Sequence, residues 1–227
     1  MYLIEKERRS QFDALLKTAA ELKKCKEEAQ KVLAEISSLC VLGCGSSFSL
    51  AKSAATQFSQ NTGTPAYAVP AGDLLVNFPS YKKLLTGRTL LFRSGSTSEV
   101  IRAARLCKEE LGCKVLSVCA KTGAPVEELA DWSLCLPWAF DEAVCQTRTV
   151  SNLYAAALGL TYIAAGDEAR FEELCAIPEY AETFCPANEA LLTEFAQRPW
   201  TKAVVLGDSG MAGILEEGAL AFKEICR

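Results

Sequence analysis

The sequence predicts an α/β fold, a three-layer α/β/α sandwich around a five-stranded parallel sheet. Short apolar segments alternate along the chain with longer segments whose apolar residues recur at helical spacing. This alternation is typical of a parallel sheet with helices on both faces. The chain also has 227 residues, of which 50% are hydrophobic, so it can bury a sizeable core.

The predicted elements follow one another in a regular order. Five strands are expected at 39–43, 66–70, 88–93, 114–119 and 133–137. Helices are expected at about 3–36, 48–61, 72–85, 98–111, 125–130 and 144–165. Gly112 suits the end of a helix and Pro125 suits a first helical position. A polar helical region over 167–197 is expected to break at Pro178 and Pro186.

The opening pattern returns near the end of the sequence. A predicted strand at 202–206 is followed by a glycine-containing turn and a predicted helix over 211–227. A lone strand and helix cannot cover both faces of a sheet. We therefore expect the beginning of a second α/β unit, in a chain that is truncated or that docks this last unit elsewhere. We expect the chain to divide into an N-terminal helical region (1–36), a first α/β domain (37–166), a helical connector (167–197) and the beginning of the second unit (198–227).

The composition argues against several classes of protein. The formal net charge is −4, and no basic patch with interleaved aromatic residues is evident, so nucleic-acid binding is not expected. No apolar run reaches the ~18 residues of a membrane span. The charged start of the chain also differs from an export signal. These features predict a cytoplasmic protein that does not bind membranes.

The eleven cysteines are an unusually high and odd count. With no export signal, we interpret them as small apolar core residues in a reducing compartment. The sequence has no histidine and no C-x-x-C pair, so no metal site is predicted. The absence of histidine also excludes a Ser-His or Cys-His catalytic arrangement within this chain.

Two hydroxyl-rich turns each follow a predicted strand and precede a predicted helix. The first contains Ser46 and Ser47, and the second contains Ser94, Ser96 and Thr97. Free N–H groups and the positive end of a helix dipole meet at such turns, which suits them to hold an anion such as phosphate. The alternative is that these hydroxyls only cap their helices. Two such turns in one chain favour a ligand site.

Four segments together resemble the sugar isomerase (SIS) domain proteins, specifically the phosphosugar enzymes that contain two SIS domains. The segments are 43–47, 93–97, 142–149 and 215–225, and they occur in the order found in that family. The resemblance extends over nearly the whole chain from about residue 35. It implies a flavodoxin-like sheet, the beginning of a second SIS unit and a homodimer or higher homo-oligomer. No cofactor is implied.

The resemblance assigns ligand binding to seven side chains with hydroxyl or amide groups: Ser46, Ser47, Ser94, Ser96, Thr97, Gln146 and Thr147. The first turn would contact the sugar and its phosphate, the second turn would be the main phosphate cradle, and the last two residues would line the sugar pocket. Phe92 stands where family members often have serine. Arg148 stands where lysine or arginine is common, and its alternative interpretation is a solvated charge at a helix start.

Glu224 resembles the glutamate that moves a proton between two substrate carbons in aldose–ketose exchange. That chemistry needs a carboxylate held against the substrate. Glu217 lies two helical turns earlier on the same face and would support it. The alternative is an ordinary charged helix face. Ala221 replaces a lysine of the synthase branch, and the family's ring-opening histidine and C-terminal lysine correspond to positions beyond this sequence.

Two classes of function follow from the resemblance. The first is an isomerase, deaminase or deglycase that acts on an amino- or fructosamine-type sugar phosphate. The second is a non-catalytic module that binds a phosphosugar and regulates an attached domain. No helix-turn-helix pattern with basic residues is evident at the N-terminus, and Glu224 lies in a catalytic-type motif. Both observations favour the enzyme.

Overall fold

The computed structural model describes residues 2–87, 89–93 and 97–225 and contains a parallel sheet of five strands in the order β2-β1-β3-β4-β5. The strands are β1 (Leu39–Gly43), β2 (Ala66–Pro70), β3 (Thr89–Arg93), β4 (Lys114–Cys119) and β5 (Trp132–Cys135). The five strands predicted between residues 39 and 137 all form, and the α/β class is confirmed. The last strand ends two residues early, because Pro137 begins a 3₁₀ turn.

The helices of the described chain account for most of its remaining residues. They are α1 (Leu3–Arg9), α2 (Gln11–Ala34), α3 (Ser46–Thr62), α4 (Ala71–Val76), α5 (Phe78–Leu85), α6 (Ser98–Leu111), α7 (Pro125–Leu129), α8 (Arg148–Ala165), α9 (Glu168–Ala176), α10 (Ala181–Ala196) and α11 (Ala212–Ile225). Among them, no helix combines the length and apolar character needed to cross a membrane.

The sheet separates two hydrophobic cores. Leu39 and Val41 of β1 belong to one core and Cys40 and Leu42 to the other, as expected for side chains that alternate across a strand. The first core packs against α2, α3 and α8, and the second against α4, α6 and α7. Because a hydrophobic core lies on each face, the parallel strands are almost continuously apolar.

The cysteines identified with strands are mostly core residues. Cys40, Cys113 and Cys119 are buried, which confirms their interpretation as small apolar side chains. Cys135 differs because it is only half-buried at the end of β5.

Several predicted helix boundaries were wrong, for local reasons. The helix expected at 72–85 divides at Asn77, because Pro79 has no N–H with which to continue the ladder of α4. Pro186 does not end α10. A proline within a helix leaves the carbonyl four residues earlier without its N–H partner, and here that carbonyl belongs to Glu182, which is exposed. The helix expected from 144 begins at Arg148, after a loop held by buried acids.

The prediction of a strand at 202–206 was also wrong. These residues have no regular secondary structure, and Val204 and Leu206 are 79% and 82% exposed. A strand needs a neighbour to pair its backbone groups, and no strand of the described chain lies beside this segment. The helix that follows it forms as α11 and packs against α3 of the first α/β unit.

Candidate functional site

The candidate site lies where the strand order reverses. β1 is paired with β2 on one side and with β3 on the other, so the chain leaves β1 and β3 toward opposite faces of the sheet. In such sheets ligands bind at the carboxyl ends of the two strands that flank this switch point. The register pairs Leu42 with Phe92, which places the turns after β1 and β3 side by side.

The turn after β1 presents the N-terminus of α3 to this edge. Gly45 precedes the helix with φ +52°, a conformation that favours glycine. Ser46 and Ser47 are half-buried and occupy the first two helical positions. Neither is therefore the N-cap residue, and the interpretation that these two serines only cap the helix was wrong.

Gly43 allows the turn to pass close to its own strand. A Cβ atom at Gly43 would lie 2.5 Å from the backbone carbonyl carbon and oxygen of Ser47. No side chain fits in that space without moving the turn. The position of Ser47 thus depends on a residue four positions earlier.

The turn after β3 contributes the N-terminus of α6. Thr97 is its N-cap residue, but its side chain makes no capping hydrogen bond to the described helix. Ser94 and Ser96 lie outside the described residues, so their predicted role as a phosphate cradle remains a prediction. Thr97 brings one hydroxyl-bearing side chain to the edge beside the α3 turn.

Two buried acids hold the loop that leads into α8. The carboxylate of Asp141 accepts hydrogen bonds from the backbone N–H groups of Thr147 (2.7 Å) and Thr149 (2.9 Å). The carboxylate of Glu7, from α1, accepts from the backbone N–H groups of Glu142 (2.7 Å) and Ala143 (3.3 Å). These bonds fix the loop that carries the predicted pocket residues.

The predicted pocket residues of this loop differ in exposure. Gln146 is exposed, whereas the hydroxyl oxygen of Thr147 is buried without a hydrogen-bond partner among the described residues. Arg148 is not the solvated charge that its alternative interpretation suggested. It donates to the Ser10 hydroxyl (3.0 Å), and its Nε lies 3.3 Å from a carboxylate oxygen of Asp141, so it ties α8 to the N-terminal helices.

Sequence reasoning did not find Glu7, Ser10 or Asp141. An aspartate shortly before a helix is a recognisable capping signal, but the five residues between Asp141 and Thr147 obscure it. Glu7 and Ser10 lie in a region rich in charged residues, where nothing in the pattern separates them from solvent-exposed neighbours.

Helix α11 lies antiparallel along α3. Gly210 lies against Gln57, and Gly213 lies against Ser49 and Ser53, where a Cβ atom would be 2.2 Å from the Ser49 carbonyl oxygen. The Ser53 hydroxyl accepts from the backbone N–H of Ile214 at 2.8 Å. The C-terminal half of α11 therefore continues past the start of α3, toward the carboxyl edge of the sheet.

This course brings Glu224 beside the loop before α8. Glu224 is exposed, whereas Glu217 on the same helix is buried. Burial raises the pKa of the Cys145 thiol, and the negative charge and hydrogen bonding of Glu224 raise it further. Cys145 directly precedes Gln146, so the candidate base and the predicted pocket loop are neighbours.

An apolar cavity adjoins the pocket loop at Thr147, which is one of its lining residues. It has a volume of about 320 Å³ and lies among α2, α8, α9 and α11. Leu15, Leu22, Val150 and Ile214 are among the residues that line it. Its walls are almost entirely apolar, so the cavity is unsuited to a charged ligand. The candidate site is instead an open edge of the sheet.

Comparisons with known proteins agree with this architecture. The family model described as SIS domain matches residues 32–164, more than half of the chain. The chain is similar to the isomerizing glutamine–fructose-6-phosphate aminotransferase of Vibrio vulnificus (strain YJ016), with 24% identity over 213 residues. That match covers 87% of this chain but only 34% of the relative, so the chain spans about a third of the curated protein.

Two solved structures resemble the fold. The crystal structure of tagatose-6-phosphate ketose/aldose isomerase from Escherichia coli has a TM-score of 0.79 and 21% identity, covering 96% of this chain and 63% of that one. The Vibrio vulnificus NanR protein complexed with ManNAc-6P has a TM-score of 0.56 and 21% identity, covering 85% of this chain and 70% of that one.

The proximity of Glu224 to Cys145 leads to a testable expectation. Glu224→Gln removes a negative charge that raises the pKa of the Cys145 thiol. The pKa should fall toward its ordinary value, so more thiolate is present at a given pH and alkylation of Cys145 becomes faster. Peptide mapping after timed alkylation at pH 8 measures this rate for each cysteine.

Cys44 provides the matched control for this experiment. It is also half-buried with a raised pKa, but its acidic neighbour is Glu99. Its alkylation rate should not change in Glu224→Gln. Equal rates for Cys145 in both proteins would show that Glu224 does not lie beside the pocket loop.

Proposed function

We infer that this chain, which belongs to the SIS domain family, binds a small phosphorylated sugar at the carboxyl edge of its sheet. The observation that carries this proposal is the pairing of β1 with β3, which sets the N-termini of α3 and α6 side by side. The names of the aminotransferase and of the isomerase include a sugar phosphate, and the NanR protein is complexed with one. We place this protein in the cytoplasm, which fractionation of the native cells would test.

The phosphate would lie between the two helix N-termini. Their N–H groups and dipoles favour an anion, and the hydroxyls of Ser47 and Thr97 supply uncharged donors. We propose that Ser46, Ser94 and Ser96 complete this cradle. Gln146 and Thr147 would face the sugar, because Glu7 and Asp141 hold their loop in place and the Thr147 hydroxyl still offers an unsatisfied hydrogen-bonding group.

We propose that the function is enzymatic, with Glu224 as the acid–base group of an isomerase, deaminase or deglycase that acts on an amino- or fructosamine-type sugar phosphate. A carboxylate could take a proton from the carbon beside the sugar's carbonyl or imine and return it to the neighbouring carbon. The exposed position of Glu224 next to the pocket loop leaves it accessible to such a ligand. Glu217 would support the arrangement from within the packed interface of α11.

The second candidate is a regulatory module that binds the sugar phosphate without turning it over. The exposure of Glu224 favours it, because a catalytic carboxylate usually lies in a desolvated pocket. The similarity to a protein complexed with ManNAc-6P is equally compatible with binding alone. Calorimetric titration and deuterium exchange separate binding from proton transfer.

Loss of one hydroxyl from either turn should weaken sugar-phosphate binding. Ser47→Ala or Thr97→Ala removes a hydrogen bond to a charged phosphate, which should cost about 1.5–3 kcal/mol, or roughly 10–100-fold in affinity. Calorimetric titration with fructose 6-phosphate measures the change. Fructose without the phosphate should bind poorly to every variant.

Ser59→Ala is the matched control for these substitutions. Ser59 lies on α3 as well, but near its C-terminal end, far from the switch point. Its loss should leave the affinity unchanged. Wild-type affinity in both Ser47→Ala and Thr97→Ala would contradict the proposed phosphate site.

Glu224→Gln should abolish proton exchange while it preserves binding. The amide keeps the shape of the side chain but cannot shuttle a proton, so exchange should fall by about 10²–10⁴-fold. Incorporation of solvent deuterium into fructose 6-phosphate and glucosamine 6-phosphate, followed by mass spectrometry, measures it. The affinity from calorimetry should stay within roughly twofold, since only an interaction of the transition state is lost.

Glu216→Gln is the control on the same helix. Glu216 is also exposed but pairs with Lys52 at 2.8 Å, so its loss should not alter exchange. Undiminished exchange in Glu224→Gln would place the base elsewhere. A wild-type chain that binds sugar phosphates but exchanges no deuterium would support the regulatory module instead.

We also propose that the protein forms at least a homodimer. Phe184 and Leu191 on α10 are 60% and 61% exposed, and Val204 and Leu206 after it are more exposed still. Such an apolar surface is typical of one that another protein surface covers. Light scattering at micromolar concentration should give at least twice the mass of the chain, and a monodisperse monomer would contradict the proposal.

A further inference from the structure

The structure brings together three potential metal ligands at the carboxyl ends of β4 and β5, beside the candidate sugar-phosphate site but outside it. Cys119 ends β4, Cys135 ends β5 and Glu127 lies on α7. Their sulfur and carboxylate oxygen atoms all lie within 4.8 Å of one another. In the sheet order, β4 lies next to β3 and β5 is the edge strand opposite β2, so this cluster lies one to two strands away from the switch between β1 and β3.

The sheet fixes the two thiols relative to each other. Cys119 and Cys135 are register partners on adjacent parallel strands, and paired residues of neighbouring strands project from the same face. Both contact the second core, beneath α7. Cys119 is fully buried, whereas Cys135 is half-buried, so an ion can approach from the side of Cys135.

The third ligand is also held in place. One carboxylate oxygen of Glu127 accepts the backbone N–H of Ala124 at 3.0 Å, in the capping arrangement at the start of α7. This bond orients the carboxylate and leaves its second oxygen for another partner. Further oxygen atoms lie close to the sulfurs, namely the Lys121 carbonyl, 3.7 Å from the Cys119 sulfur, and the Thr122 hydroxyl, 3.9 Å from the Cys135 sulfur.

We propose that Cys119, Glu127 and Cys135 bind one thiophilic divalent cation of the Zn²⁺ class. In a tetrahedral zinc site with Zn–S bonds of ~2.3 Å, two sulfur ligands lie ~3.8 Å apart. The ligand atoms of the three side chains lie within 4.8 Å of one another. They therefore need only a small inward movement to reach that geometry. Both thiols release their protons to solvent when the ion binds, and water or an oxygen of the 121–122 loop completes the fourth position.

The composition of the cluster distinguishes a cation site from a disulfide. Two thiols alone would serve either purpose, but a disulfide has no use for an oriented carboxylate. A carboxylate beside two sulfurs provides a third anionic ligand, which favours a cation over a disulfide. No disulfide is formed in the described chain, where both cysteines are free.

The sequence did not predict this site, because metal motifs are recognised by short spacings. Cys119 and Cys135 are separated by an entire connection that includes α7. Only the register of β4 and β5 makes them neighbours.

The test uses the full chain, stripped of metal by a chelator and kept in a non-thiol reductant. Titration with Zn²⁺ in competition with a chromophoric chelator should show one tight equivalent per chain. Co²⁺ in place of Zn²⁺ should give an ultraviolet charge-transfer band from thiolate to metal. Loss of a residue that only hydrogen-bonds to a metal ligand lowers metal affinity by about 10–100-fold. Loss of a ligand itself in Cys135→Ala should lower the affinity by at least as much.

Two further variants complete the test. Glu127→Gln keeps an oxygen for the Ala124 N–H but loses the charge, so it should weaken binding while circular dichroism stays native. Cys107→Ala removes another buried core thiol and should leave the affinity unchanged. Absence of stoichiometric binding, or equal affinity in wild type, Cys135→Ala and Glu127→Gln, would overturn the proposal. A Cys119–Cys135 disulfide formed in air by a chain that takes up no metal would do so as well.

Discussion

The pairing of β1 with a strand on each side is the constraint on which the rest of the structure depends. All five residues of β1 are buried, so the strand cannot slip by one residue without exchanging the side chains of the two cores. Its register with β3 sets the α3 and α6 turns side by side. Gly43 then brings the Ser47 backbone so close that no side chain fits between them.

A close contact between α11 and α3 determines which side chains can reach the carboxyl edge of the sheet. Gly213 lets α11 contact the α3 backbone, and the bond between the Ile214 N–H and the Ser53 hydroxyl fixes the helix along its axis. A helix rises about 1.5 Å per residue, so an antiparallel α11 carries its last two turns beyond the start of α3. The candidate base therefore reaches the pocket loop from a helix whose own strand does not form.

The sequence was sufficient for features that depend on local pattern. Buried parallel strands appear as short apolar runs, so all five were predicted within two residues of their observed bounds. Features that depend on distant partners were not accessible. The start of α8 is set by Asp141, the orientation of Arg148 by Ser10 between α1 and α2, and the pairing of Cys119 with Cys135 by strand register. The segment at 202–206 has the composition of a strand, but composition cannot show that a strand lacks a neighbour.

The burial of the two acids on α11 decides which of them could transfer a proton. Glu217 lies in the packed part of the helix, where it is only 7% exposed, so a ligand at the edge of the sheet cannot contact it without displacing α11. Glu224 lies two turns farther along, exposed and beside Cys145. A sugar bound against the loop of Gln146 would therefore contact the carboxylate of Glu224 and not that of Glu217.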